Sequence, residues 1–216
     1  MHVGRLHVRY AARRREAALS RFDADACYAG LRDLARVLDG QRWMVVSGLV
    51  EPLVRGRFTR AHSDIDIAVP VDALVPMARV ASARGYALTT RALRTHVSTG
   101  VDLELHVRIE PWMLAHRRRR LRLWRLDRNG RIDESRFPAY VDVFPYVLEG
   151  REMHILDSGQ RLPLRESLCQ DVALPEGTRV PVELPCYVDA LKASRRRARA
   201  LAGMPDDTPD AAAAEP

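Results

Sequence analysis

Lysine is almost missing from this chain. Of its 35 basic residues only Lys192 is a lysine and the rest are arginines, against 28 acidic residues and a net charge of +7. So lopsided a ratio, with abundant Ala and Pro, reads as a base-composition effect at least as much as selection for a polyanion. The balance allows a nucleotide or nucleic-acid substrate without requiring one. Arginine does suit phosphate, being planar, permanently charged and bidentate. Cysteine is sparse too. Cys27, Cys169 and Cys186 are odd in number and lack metal-ligand spacing, which argues against a disulfide scaffold and fits free thiols in a reducing, cytoplasmic setting. No stretch of about 18 or more apolar residues exists, so no membrane insertion is expected. Arg13 to Glu16 break any apolar segment near the N-terminus, so no secretory signal is expected either.

What is present is enough for a folded protein. At 216 residues, 47% of them hydrophobic, the chain can bury one good core, or one core and a smaller appendage. Cys27, Leu31, Leu34, Ala35 and Leu38 recur at helical spacing and predict a helix over 23–38, stopped by Asp39-Gly40. A short apolar strand over 43–46 leads to the turn Ser47-Gly48, a helical stretch over 49–54, and a strand over 64–69 closed by Pro70. A helix over 72–84 tolerates Pro76 near its first turn and ends at Gly85. Extended structure follows over 86–90, then a strand over 101–109 in which Asp102, Glu104 and His106 share one face.

Past Pro111 the character changes. Arg117 to Arg120, Arg122 and Arg125 interleave with Leu114, Leu121, Leu123, Trp124 and Leu126, which reads as a surface helix in preference to a nucleic-acid footprint. An antiparallel meander over 140–164, a strand over 180–184 and a helix over 185–201 follow, while 203–216 has too little to bury to be ordered. Asp142 in the meander either approaches the acceptor side of a site or occupies an exposed alternating position. The fold class is α+β: a small mixed sheet flanked by helices, three acidic groups on neighbouring strands, and a C-terminal meander and helix. Residues 1–110 are expected to form the core with its N-terminal helix, 111–202 a substrate-side region packed on it, and 203–216 a disordered tail.

The chemistry concentrates between Ser47 and Ile67. Asp64-Ile65-Asp66-Ile67 puts two carboxylates on one face of a strand, and like charges side by side repel unless a cation lies between them. Mg²⁺ is such a cation, taking hard carboxylate oxygens together with those of a phosphate. A lone Asp-x-Asp is common on ordinary surfaces. Here it follows the Ser47-Gly48 turn and the basic stretch Arg55-Gly56-Arg57-Phe58-Thr59-Arg60-Ala61-His62, and a second acidic strand comes later.

This combination resembles the signature of the polymerase-beta-type nucleotidyltransferase superfamily, and the loop is most similar to aminoglycoside- and lincosamide-modifying nucleotidyltransferases. The resemblance covers about 43–70, is weaker over 98–107, and fades in the C-terminal half. It implies a nucleotidyltransferase fold and Mg²⁺-dependent transfer of a nucleoside monophosphate from ATP or another NTP. The acceptor would be a hydroxyl of a small, antibiotic-like molecule, and pyrophosphate would be released. Asp64 and Asp66 match the metal-binding pair. Ser47 and Gly48 match the small-residue turn that lets the triphosphate approach the backbone, where many relatives have a second glycine in place of Ser47. Asp102 matches the third carboxylate, as metal ligand or general base, with Glu104 the runner-up on the same face. Arg57, Arg60 and His62 are close enough in sequence to pair with phosphate oxygens. Lys192 matches in part a phosphate-contacting lysine on a late helix, although Ser194-Arg195-Arg196-Arg197 follows without an acid; a solvated helix face accounts for it about as well.

Three other functions fit parts of the same pattern. Tyr140-Val141-Asp142-Val143-Phe144-Pro145, Val180-Pro181-Val182 and Tyr187 faintly resemble the LicD and fukutin-related transferases, which move phosphocholine or a phosphosugar from a nucleotide-activated donor. The arginine runs allow a tRNA-modifying nucleotidyltransferase, a less favoured partner choice. A scaffold that keeps the fold without turnover is the fourth reading, and it requires that the carboxylates do not converge.

Overall fold

The computed structural model describes residues 8–14, 23–59, 62, 64–97, 101–109, 121–130, 132–133, 138, 140–156, 159–164 and 167–201, with side chains outside 8–14, 91–107 and 194–201. Helix α1 (Ala24–Val37) forms where apolar spacing predicts it. Asp23 caps it by accepting the Ala26 N–H at 2.9 Å, and Cys27, Leu31 and Leu34 are buried along one stripe. Burial pushes the Cys27 thiol up to about 11, so it packs as an inert apolar group. Strand β2 (Met44–Val45), helix α2 (Val50–Arg55), strand β3 (Ile65–Pro70) and helix α3 (Leu74–Ala83) follow in the predicted order. Gly56 ends α2 at φ 64°, a left-handed cap that a side chain would strain.

Strand β4 (Tyr86–Val97) runs beyond its predicted end and pairs antiparallel with β5 (Val101–Arg108). The sequence pattern does not announce β1 (Val8–Arg14), which pairs with the other side of β5. The surface helix expected across the arginine-rich stretch is not what residues 121–125 form. They are strand β6 (Leu121–Arg125), with Leu121 and Leu123 fully buried. Leu-Arg-Leu alternates with period two, and partners on both sides, β4 and a later strand, satisfy the backbone that a helix would have satisfied internally. Arg117 to Arg120 and the tail 203–216 lie outside the described residues.

The predicted meander is present as β7 (Val141–Glu149), β8 (Glu152–Ile155) and β9 (Gln160–Pro163). Then come β10 (Cys169–Ala173), β11 (Arg179–Glu183) and helix α4 (Pro185–Leu201). The strands join one mixed sheet of eleven, ordered β1-β5-β4-β6-β7-β3-β2-β11-β10, with β8 on β7 and β9 on β8. It is far larger than the small sheet expected. The strands of 111–202 do not form a layer of their own, because β6, β7 and β11 share a sheet with β2 and β3. The β3–β7 and β2–β11 pairs are parallel.

Alternation sends Val45, Ile67, Leu121, Leu123, Val143 and Val182 to one face, where they pack with α1, α2 and α3. Met44, Val46, Ala68, Tyr146 and Met153 go to the other, packed with Tyr187 of α4. Helices therefore cover both faces, and the site's elements are fixed from both sides. Among the described residues, no helix is long and apolar enough to cross a membrane. Ile67 is fully buried at the middle of β3, so Ile67→Ala is expected to cost about 2–5 kcal/mol. A urea titration checks this as a lower midpoint with an unchanged slope.

Candidate active site

Strand β3 carries Asp66 between Ile65 and Ile67, both buried, so Asp66 must face the opposite side of the sheet with Asp64 two residues before it. In the parallel neighbour β7, Asp142 is similarly bracketed by Val141 and Val143, and it is the direct register partner of Asp66. Asp64 and Asp66 are half-buried and Asp142 is fully buried. One oxygen from each lies within 4.8 Å of the others.

One cation is already in place. Arg122 of β6 is the register partner of Asp142, and its Nε donates to Asp142 Oδ1 at 2.9 Å. The guanidinium lies 4.2 Å from the centroid of Tyr140 and 6.0 Å from that of Trp124. Trp124 Nε1 donates to Thr89 Oγ1 at 3.0 Å, and Thr89 Oγ1 donates to the Arg122 carbonyl at 3.4 Å. A buried arginine packed on the Tyr140 ring holds a buried carboxylate in one orientation.

The Ser47-Gly48 turn stands at the same end of these strands. Because β2 runs antiparallel to β3, its C-terminal end meets the start of β3, and the Val46 N–H donates to the Asp66 carbonyl at 2.9 Å. Ser47 then takes φ 64°, and among the described residues it is the only non-glycine with positive φ. A left-handed residue with a Cβ costs about 1–2 kcal/mol. This residue opens the single helical turn Ser47–Leu49 that joins β2 to α2. Beneath the turn, Glu183 at the end of β11 is 1% exposed and its carboxyl accepts the Ser47 N–H. Its Oε2 has no hydrogen-bond partner. Burial pushes Glu183 up to about 7 from an ordinary 4.5, the Ser47 N–H opposing in part.

The other expected residues are distributed unevenly. Asp102 and Glu104 lie on β5, separated from β3 by β4, β6 and β7, which is four strand spacings or about 19 Å. The expectation of three acidic groups on neighbouring strands therefore fails for β5, and Asp142 is the carboxylate brought to the pair. The cause is non-local: the strand beside β3 is supplied by residues about 75 positions later, not by the next acidic strand in sequence. His62 is buried edge-on against Phe58, ring centroids 5.9 Å apart, and Phe58 in turn meets Tyr28 at 5.2 Å. Its ring thus belongs to the packed wall of the loop. Arg57 is exposed beyond α2, its N–H donating to the Pro52 carbonyl at 3.1 Å, and Lys192 is exposed on α4. Arg60 lies outside the described residues. Arg122 and Glu183 were missed as site residues, and Asp142, weighed for the acceptor side or an exposed position, is instead fully buried beside Asp66. The available signal was an acid set between apolar residues in a strand, Val-Asp-Val and Val-Glu-Leu, where a solvated acid does not belong.

No family model matches the chain, nor does any curated protein. Two solved structures are similar to it in fold. One is a lincosamide antibiotic adenylyltransferase, LnuA, with lincomycin bound, at 12% identity and a TM-score of 0.46, covering 79% of this chain and 85% of that one. The other is a Thermotoga maritima protein provisionally described as a nucleotidyltransferase, at 14% identity and a TM-score of 0.46, covering 87% and 97%. Likenesses at this level carry no argument about activity, which rests on the carboxylates.

Two outcomes follow from this electrostatic arrangement. Arg122→Met removes the cation that donates to the fully buried Asp142 and is expected to cost about 3 kcal/mol or more. Thermal melts check this as a lower midpoint with the transition still cooperative. Glu183 holds its proton more tightly folded than unfolded, so its contribution to stability is complete below about pH 4.5 and is lost as pH rises towards 7. Relative to Glu183→Gln, the wild type should lose about 3 kcal/mol between pH 4.5 and 8, read from denaturant midpoints across that range.

Proposed function

We propose that the protein is a nucleotidyltransferase that moves a nucleoside monophosphate from an NTP to a hydroxyl of a small molecule. One observation carries this reading. Asp64, Asp66 and Asp142 offer oxygens within 4.8 Å of one another, at the sheet edge where the chain turns through Ser47-Gly48. In the reaction the acceptor's hydroxyl oxygen bonds to the α-phosphorus, and the bond from that phosphorus to the β-bridging oxygen breaks. Pyrophosphate departs with the electron pair, and the hydroxyl proton passes to a base. Such transfer asks chiefly for positioning and charge neutralisation.

Three convergent hard oxygen donors fit Mg²⁺, and Asp64, Asp66 and Asp142 would hold it, Asp142 standing in the place that the resemblance gives to Asp102. A divalent cation bound there supplies Lewis acidity towards phosphoryl oxygens. The chain's own residues do the rest. Arg122 keeps Asp142 aimed at its two neighbours, and the Ser47-Gly48 turn brings backbone towards the phosphates. ATP as donor, an antibiotic-like acceptor and a cytoplasmic setting follow the sequence resemblance and belong to the same proposal.

Incubation with Mg²⁺ and each labelled NTP, against aminoglycosides, lincosamides and total tRNA, tests the reading by pyrophosphate release and product mass. Asp64→Asn, Asp66→Asn and Asp142→Asn should each lower transfer by at least about a hundredfold while melting remains cooperative. Asp102→Asn should stay within about threefold of wild type. Full activity in Asp142→Asn overturns the assignment. Consumption of a CDP-linked donor without pyrophosphate release favours phosphocholine-type transfer instead.

A further inference from the structure

Glu183 is a costly residue to place where it is. Its carboxyl is 1% exposed and uses one oxygen, and a leucine or methionine would fill the same volume without that penalty. What it meets explains the choice. β11 lies parallel to β2 with Val182 opposite Val45, so Glu183 lies level with Val46, the last residue before the turn. Val46 in turn lies opposite Asp66, by the register that sets Val45 against Ile67. Glu183 therefore shares a cross-sheet row with Asp66 and Asp142, two strand spacings or about 10 Å from Asp66. From there its carboxyl accepts the N–H of Ser47, the one non-glycine that holds positive φ among the described residues.

We infer that Glu183 is a positioning residue for the nucleotide, its carboxyl fixing Ser47 in the left-handed conformation through which the turn approaches the triphosphate. The inference rests on the nucleotidyltransferase reading above. A glycine adopts that conformation freely, whereas serine does not, so a chain with Ser47 needs an external hold and Glu183 supplies it. A hydrogen-bond acceptor is all that the role demands, and an amide carbonyl should serve as well as a carboxyl. Burial that raises the carboxyl to about 7 also lessens the like charge it would present to a triphosphate at neutral pH.

Calorimetric binding of an ATP analogue with a methylene α–β bridge, in the presence of Mg²⁺, tests this without an acceptor. Glu183→Ala should weaken binding about tenfold, while Glu183→Gln stays within about twofold. Adding Ser47→Gly to Glu183→Ala should restore affinity, because glycine needs no hold; a residue with a merely structural role would not be rescued there. Should Glu183→Ala fail to fold, Glu183→Leu fills the volume without accepting the N–H and carries the same comparison. Unchanged affinity in the Ala or Leu variant, or no rescue by Ser47→Gly, overturns the inference and leaves the nucleotidyltransferase reading standing. Absence of binding by the wild type overturns both.

Discussion

The parallel register of β3 on β7 sets Asp66 directly beside Asp142, and the site depends on that pairing. Two acids on adjacent strands, with Asp64 at hand, repel one another in a setting from which water is partly excluded. The apolar residues on either side hold the arrangement in place. Ile65, Ile67, Val141 and Val143 are all fully buried on the opposite face, and slipping either strand by one residue would turn an aspartate into the core. The hydrophobic effect thereby fixes an electrostatic conflict. Arg122 offsets part of it from the third strand of the row, its guanidinium held 4.2 Å from the Tyr140 ring centroid. The remaining excess of carboxylate oxygen is what suits the cluster to a hard cation and the phosphates that accompany it.

The second constraint is conformational. Ser47 stores backbone strain at the exit of β2, and the strand beyond β2 provides Glu183 to meet its N–H. Both features sit on one edge because β2 runs against β3 while β11 runs with β2. Strand directions thus bring the carboxylates, the strained turn and its support to one end of the sheet. Such strain persists where surrounding structure over-determines it, and functional sites are where it concentrates.

The local content of the site was legible. Alternation in Asp64-Ile65-Asp66-Ile67 assigned both aspartates to one face, and the helix over 23–38 followed from apolar spacing and its stop at Asp39-Gly40. The Leu-Arg-Leu-Trp-Arg segment was misread because a short stretch inside a long arginine run carries both periods, and only pairing on two sides decided for the strand. That Asp142, and not Asp102, lies beside Asp66 was illegible for a related reason. Asp102 and Asp142 both sit in strands with apolar neighbours, and nothing local says which strand lies next to β3.

By itself, then, the sequence determined which side chains share a face and where the chain turns. Those are properties of spacing along one strand or helix, with periods set by backbone geometry. Tertiary structure alone decided that β7 lies between β6 and β3, so that Asp142 with its Arg122 completes the cluster while Asp102 stays four strands away. It also decided that Glu183 reaches Ser47. Strand neighbours are chosen by burial of the whole sheet's apolar faces, a sum over residues far apart in the chain that no local pattern encodes.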